Sequence, residues 1–388
     1  MTELRLLHPD GRLARTELRT PPPWRTPPSP LRSRAVYAAA HVVPLAWADN
    51  TPDAPARIDW DATLDFRRFL HSWGLGVADA MDTAQRNMGL DTTATRELIA
   101  RSAEVAREER GSLVVGVNTD HLETTTASLS RIVDAYVWQL EFAEEQGADA
   151  VLMASRHLAR TATSADDYRR VYREVLSRAS RPVVLHWLGE AFDPELAGYF
   201  GEDAATTLLE IIGENIDRVA GVKMSLLDAD AERWVRARLP ESVRMFTGDD
   251  FHYVDLIDDA DPTAEGTRSH SDALLGAFAA IAPAASAAIQ ALDAGDHATY
   301  RRVLEPTTPL SRHLFATPTY FYKTGVAFLS WLNGHQPAFQ MVGGLHSARS
   351  LPHLSRIVEL ANTANVLERP EEAASRWHAL LRVNGVDA

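Results

Sequence analysis

Only two of the 39 basic residues in this 388-residue chain are lysines, Lys223 and Lys323; the other 37 are arginine. Where composition has turned nearly every interchangeable cation into arginine, a retained lysine marks a position that needs an amine, since guanidinium neither deprotonates nor forms an imine. Lys223 lies in the apolar run Val219-Ala220-Gly221-Val222-Lys223-Met224, where an unpaired ammonium costs several kcal/mol. It must pair with a carboxylate or lose its proton through desolvation, and the neutral amine is the form that attacks a carbonyl. Lys323, within Tyr320-Phe321-Tyr322-Lys323-Thr324-Gly325, reads as an amphipathic surface position on a helix.

Other chemistry-bearing side chains stand where short apolar runs end. They are His41; Asp82 and Thr83; Asn118, Asp120 and His121; Arg156 and His157; His186; Ser225; and Asp249, Asp250 and His252. His186 interrupts the run Val183 to Leu188 and is the first candidate for proton transfer beside Lys223, with Asp82 the second. Thr83, Asn118, Arg156, His157 and Asp249 are candidate substrate binders. Several have plainer readings: Asp120, Asp249 and Asp250 as helix caps, His121 and His157 as solvated loop residues, His186 as a core histidine.

The elements that must position these groups alternate. Apolar runs at 35–45, 74–82, 113–120, 149–155, 182–188, 219–224 and 243–247 precede helical patterns near 59–73, 92–110, 124–146, 165–178, 194–213, 228–238 and 251–258. An eighth, weaker run at 273–281 follows the polar loop 258–271. Continuous apolar runs separated by helices imply a parallel sheet buried on both faces. Eight such units favour a (β/α)₈ TIM barrel over an open doubly wound sheet, for which no G-x-G-x-x-G is present. The expected organisation is an N-terminal extension at 1–34, Pro-rich from Pro21 to Pro30, a barrel at 35–283 and a C-terminal helical extension at 284–388. The extension's helices fall near 284–295, 297–304, 309–334, 351–365 and 370–384. In such a barrel the residues at the strand carboxyl ends converge on one mouth.

Composition removes several classes. Without cysteine there is no thiolate nucleophile, disulfide framework, zinc ribbon or iron–sulfur ligation. A formal charge of −14 opposes a nucleic-acid backbone. No stretch of about 20 uncharged apolar residues occurs, and the first ten residues lack the apolar core of a signal peptide. The expectation is a soluble cytoplasmic protein that takes a small-molecule substrate, forms a homo-oligomer, and engages neither nucleic acid nor membrane.

At Val219 to Ser225 the chain resembles the dihydrodipicolinate synthase and N-acetylneuraminate lyase superfamily of class I aldolases, whose sixth strand carries its Schiff-base lysine. Phe246-Thr247-Gly248-Asp249-Asp250 resembles the seventh-strand motif of that superfamily, and Thr317-Pro318 to Lys323 its proline-containing C-terminal helix. More narrowly, the sequence is similar to an actinobacterial branch of dihydrodipicolinate synthase-like proteins. The resemblance implies a barrel enzyme acting through an imine on Lys223 and needing no cofactor. Two departures stand out. His186 occupies the place of the fifth-strand tyrosine. The pyruvate-binding loop is replaced by Ala80-Met81-Asp82-Thr83-Ala84-Gln85-Arg86, which keeps a hydroxyl at Thr83 and places at Asp82 a carboxylate that would repel a 2-oxo acid. The expected function is a Schiff-base lyase or aldolase for a keto-sugar or sugar-derived keto acid. The alternatives are a divalent-metal lyase or isomerase drawing on His41, Asp82, Asp120, His157, His186 and Asp249, although no H-x-H or H-E-x-x-H spacing supports a metal set, and a barrel that binds without catalysis.

Overall fold

The computed structural model of the protein describes residues 3–258 and 269–386. Two strands, β1 (Glu3–Leu7) and β2 (Leu13–Glu17), form an antiparallel hairpin. Eight more follow: β3 (Val36–Ala39), β4 (Gly76–Asp79), β5 (Leu113–Val117), β6 (Asp149–Leu152), β7 (Val183–Leu188), β8 (Val219–Ser225), β9 (Arg244–Thr247) and β10 (Asp272–Leu275). They pair in sequence order, all parallel, and β10 closes on β3. The protein is therefore a (β/α)₈ TIM barrel with helices at its C-terminal end. No helix among the described residues is long and apolar enough to cross a membrane.

Parity along the strands decides which side chains face inward. Ala39, Ala78, Val114, Val151, Met153, Val184, Phe246 and Leu274 form a buried cluster of their own, on alternating positions of successive strands, and fill the barrel interior. Glycine accommodates the large members: a Cβ at Gly221 would meet the Phe246 ring at 2.8 Å, and one at Gly116 the Met153 sulfur at 2.6 Å. Two residues beyond Val184 and Gly221 lie His186 and Lys223, which face each other across β7 and β8. Both consequently project inward at the carboxyl end of the barrel.

Four expected elements differ. The helix expected near 194–213 is confined to Ala204–Glu214, preceded by a single 3₁₀ turn at Pro194–Leu196. The eighth strand is shorter than expected, because the chain coils into a short helix at Gly276–Ala280; of the polar loop preceding it, residues 259–268 lie outside the described residues. The helix expected from 124 begins at Leu129, where the Ser128 hydroxyl accepts from Arg131 N. The long helix expected at 309–334 is broken into Thr308–Leu314 and Tyr322–Leu332. Pro318 is the reason, since it disfavours helical geometry at Thr317 and offers no backbone N–H. The two helices fold back closely; a Cβ at Gly325 would lie 3.0 Å from Ile357 Cδ1 and would clash with Leu314. This reversal aims Tyr322 and Lys323 at the barrel.

The hairpin is stitched to the last two helices, Leu351–Thr363 and Pro370–Val383. Leu7 N donates to Ser355 Oγ at 2.7 Å, Arg5 N to His378 Nε2 at 3.0 Å, and Trp377 Nε1 to Arg5 O at 2.7 Å.

A buried ion pair joins the first helical layer to the barrel wall. Arg67, on the helix Trp60–Ser72, makes bonds of 3.0 and 2.8 Å to Asp79 at the end of β4 and donates to His41 O at 2.6 Å and Thr63 O at 3.0 Å. Asp79 also accepts from Ser102 Oγ at 2.6 Å. Arg67→Met should cost about 3–5 kcal/mol in urea unfolding, because it strands a buried carboxylate, and the double variant Arg67→Met/Asp79→Leu should recover most of that loss. A single-variant loss below about 1 kcal/mol would show that the pair does not hold this layer.

Candidate active site

Lys223 is only 7% exposed, and among the described residues its Nζ makes no hydrogen bond. The charged groups that act on it are carboxyl groups. Burial pulls the Lys223 ammonium down from its ordinary pKa, while Asp82 and Asp250 pull it back up. Asp250 responds in kind: burial pushes its carboxyl up, and the Lys223 charge opposes this. The Asp250 carboxylate is held in place by Ala277 N at 2.9 Å. The stem of Lys223 fits because residue 248 is glycine, where a Cβ would lie 2.9 Å from Lys223 Cε and would clash with Ser225 Oγ.

His186 is fully buried beside Lys223, and its Nε2 lies 3.1 Å from Ser225 Oγ. Its Nδ1 has no partner among the described residues. Desolvation and the neighbouring Lys223 charge hold its pKa well below the ordinary histidine value. The ring is thus neutral near pH 7, a hydrogen-bonding group and not a stored proton.

The turn after β4 brings Asp82 and Thr83. Asp82 makes no side-chain hydrogen bond among the described residues; burial raises its carboxyl, opposed first by Lys223 and then by Lys323. Thr83 Oγ1 lies 2.7 Å from the Tyr322 hydroxyl, and both residues are buried. Arg86 anchors this turn: it binds Asp120 at 2.6 and 2.5 Å, Gln139 at 2.9 Å, and the carbonyls of Ala80 and Gly116 at 3.0 and 3.1 Å. Its donors are spent on the protein.

Lys323 overturns the surface reading. It is 2% exposed, and burial lowers its pKa to about 8 against the attraction of Asp82 and Asp193. The ring of Tyr322, the residue before it, stands 5.9 Å from that of Phe192, the residue before Asp193. Arg156 lies at the rim, its Nε donating to Asp193 Oδ2 at 2.7 Å.

The remaining sequence candidates are tied elsewhere. His157 spends both nitrogens, on Thr119 Oγ1 at 2.9 Å and Thr124 O at 2.7 Å. Asn118 accepts from Thr119 N at 2.7 Å. Asp249 accepts from the backbone of Phe251 and His252 and binds the His252 ring at 2.9 Å, the local cap that its position suggested. Asp120 is the partner of Arg86 and caps no helix, and His121 lies 2.9 Å from Gln139 Nε2. His41 packs edge-on to Phe66, bonds Gln336 Oε1 at 2.8 Å, and is driven by burial to a pKa of about 3. Among the described residues no group of three or more His, Asp or Glu side chains could share a metal ion.

Sequence reasoning thus missed Tyr322, Lys323 and Asp193 and undervalued Asp250. The scarcity of lysine was the one signal that pointed at Lys323. Its expected place in an unbroken outer helix hid it.

Solved structures share this architecture. YagE, a prophage protein of the dihydrodipicolinic acid synthase family from E. coli K12 in complex with pyruvate, aligns with a TM-score of 0.66 at 12% identity over 86% of this chain and 99% of its own. Dihydrodipicolinate synthase from Oceanobacillus iheyensis gives 0.63 at 15% identity over 86% and 97%. The 4-hydroxy-tetrahydrodipicolinate synthase from Methylacidiphilum fumariolicum SolV gives 0.61 at 16% identity over 89% and 99%. At such identities the likeness is one of fold. No curated protein matches the sequence. Residues 4–386 do match one family over nearly their whole length, that described as Protein of unknown function (DUF993), and the chain belongs to it.

Proposed function

We propose that the protein is a Schiff-base lyase or aldolase that acts on a keto-sugar or sugar-derived keto acid through Lys223. The observation that carries this reading is the inward-facing Lys223 amine, buried, free of hydrogen bonds among the described residues, and set beside two carboxyl groups whose pKa values burial raises. The fold shared with dihydrodipicolinate synthases supports it.

Burial disfavours both charges of the Lys223–Asp250 pair, so a proton shared between them yields a neutral amine beside a neutral acid. The amine adds to the substrate carbonyl, and the carbinolamine oxygen leaves as water with the proton from Asp250. The resulting iminium takes up the electron pair of the adjacent carbon–carbon bond as that bond breaks. Asp82, whose carboxylate is not otherwise bonded among the described residues, takes the proton from the departing carbinol hydroxyl, giving a carbonyl product and an enamine. Protonation of the enamine and hydrolysis release the second product and restore Lys223. The Thr83–Tyr322 hydroxyl pair and the His186–Ser225 pair supply neutral hydrogen bonds to the substrate's own hydroxyls. Arg156 meets the substrate at the rim. Asn118, His157 and Asp249 shape the loops that bear these groups.

Borohydride reduction in the presence of candidate ketoses and keto acids, followed by peptide mapping, tests the imine. Wild type should carry a single adduct on the peptide containing Lys223, Lys323→Met should carry the same adduct, and Lys223→Arg none. Turnover without an adduct, or an adduct on Lys323 alone, would sink the reading.

The pH profile supplies a second check. Only the neutral amine reacts, so kcat/KM should fall as pH drops through the apparent pKa of the Lys223–Asp250 pair. Asp250 must also hold its proton to act as the acid, so kcat/KM should fall again at high pH as the pair loses its second proton; Asp250→Asn should abolish this alkaline limb, while kcat drops about 10²–10⁴-fold through loss of the acid. His186, held neutral, should contribute no limb near its ordinary value. An alkaline limb that persists in Asp250→Asn would remove Asp250 from the mechanism.

A further inference from the structure

We infer that Lys323 and the terminal nitrogens of Arg156 form an anion-receiving pole at the barrel rim, which takes a carboxylate or phosphate carried by the substrate at the end remote from its carbonyl. Placing the carbonyl end at Lys223 rests on the Schiff-base reading above; the pole itself does not.

An ammonium has three donors and no acceptor. Buried to 2% exposure, Lys323 has among the described residues one hydrogen-bonding neighbour, the Met88 thioether at 3.0 Å, and lies 5.1 Å from the centre of the Tyr322 ring. A thioether is a weak acceptor, so most of the hydrogen-bonding capacity of this buried cation is unspent. Arg156 is in a similar state. Its Nε is fixed on Asp193, its side chain is 31% exposed, and its two terminal nitrogens make no hydrogen bond among the described residues. The geometry leaves the planar fork of the guanidinium available, the arrangement suited to an oxyanion.

The two cations are brought into one neighbourhood by packing: Arg156 Nε bonds Asp193 at 2.7 Å, the ring of the adjacent Phe192 stands 5.9 Å from that of Tyr322, which precedes Lys323, and the Arg156 charge is among the influences that lower the Lys323 pKa. Convergence of like charges beside unspent donors makes sense when an anion completes the group. The charged groups around Lys323 are Asp82 and Asp193, which favour its ammonium, and Arg156, which does not. Asp193 is shared with Arg156 and is thus partly neutralised. Asp82 faces Lys223 as well as Lys323, and at Lys223 it is joined by Asp250, with no arginine among the charges that act on that amine among the described residues. An anionic group next to the reacting carbonyl would meet these two carboxyl groups and a neutral amine, with no second cation to offset them. The cleft is therefore polarised, with hydroxyl-rich carbons favoured at Lys223 and the anionic end at Lys323.

Calorimetric titration of the full-length protein with inorganic phosphate and, separately, with glutarate tests this without any carbonyl. Saturable binding of at least one anion by wild type is expected, and the tighter of the two identifies the group as phosphate or carboxylate. Lys323→Met and Arg156→Gln should each weaken it by about tenfold or more, the worth of a charge-assisted hydrogen bond. Lys223→Arg should leave it within about threefold. Without anion, Lys323→Met should melt above wild type, because the substitution removes an under-bonded buried charge at nearly constant volume. Binding of neither anion overturns the proposal. So does unweakened binding by both Lys323→Met and Arg156→Gln. If anion binding follows the proposal while borohydride leaves no adduct on Lys223, the pole stands and the imine falls; the reverse pattern removes the pole and keeps the imine.

Discussion

The site depends on an unfavourable burial, that of the Lys223 amine near the carboxyl end of an apolar strand. Water cannot solvate it there, and no protein acceptor among the described residues bonds it, so its charge state is governed by two carboxyl groups that are themselves desolvated. Much of the local sequence follows from that constraint. Gly248 has no side chain because the Lys223 stem and Ser225 occupy the space. Ser225 spends its hydroxyl on His186, which desolvation keeps uncharged so that no further cation competes in the mouth. Asp250 is fixed by the backbone of Ala277 at the start of the short helix after β10, so the strand that closes the barrel also places the acid.

The groups around this centre divide into those that are bonded to saturation and those that are not. Arg67 and Arg86 each satisfy nearly all their donors against a carboxylate and backbone carbonyls, and they hold rigid the layer behind β4 and the turn beyond it. Such fully paired buried charges make geometry without making chemistry. Lys223, Asp82 and Lys323 have the opposite property. They are charged or chargeable, largely withdrawn from water, and poorly bonded. That contrast separates working groups from scaffold more sharply than residue type does, since arginines, aspartates and histidines occur in both sets.

The barrel was legible because buried strands read as uninterrupted apolar runs, and strand parity then placed Lys223 and His186 inside it. Local order was less legible where one residue redirects the chain. Helical periodicity continues smoothly through 309–334, yet Pro318 breaks it, and the break converts Lys323 from an outer-helix residue into a mouth residue. Asp249 and Asp250 are neighbours of the same type, and only coordinates show that the first caps its own loop while the second faces the amine. His157 and His41 look like ligands in sequence because what satisfies them, Thr119 and Thr124 for one and Gln336 for the other, comes from elsewhere in the chain.

The order in which the parts leave the ribosome has a consequence of its own. Every barrel strand precedes Tyr322 and Lys323, and the N-terminal hairpin waits for Ser355, Trp377 and His378 before its edges are satisfied. At roughly 5–20 residues per second, Lys223 is made about 5–20 s before Lys323. During that interval a nascent barrel can assemble with its amine uncovered and its rim unbuilt. Completion of the mouth is thereby coupled to synthesis of the helices that follow the barrel, and a polypeptide stalled between Lys223 and Tyr322 would hold the nucleophile without Tyr322 and Lys323 to govern what reaches it.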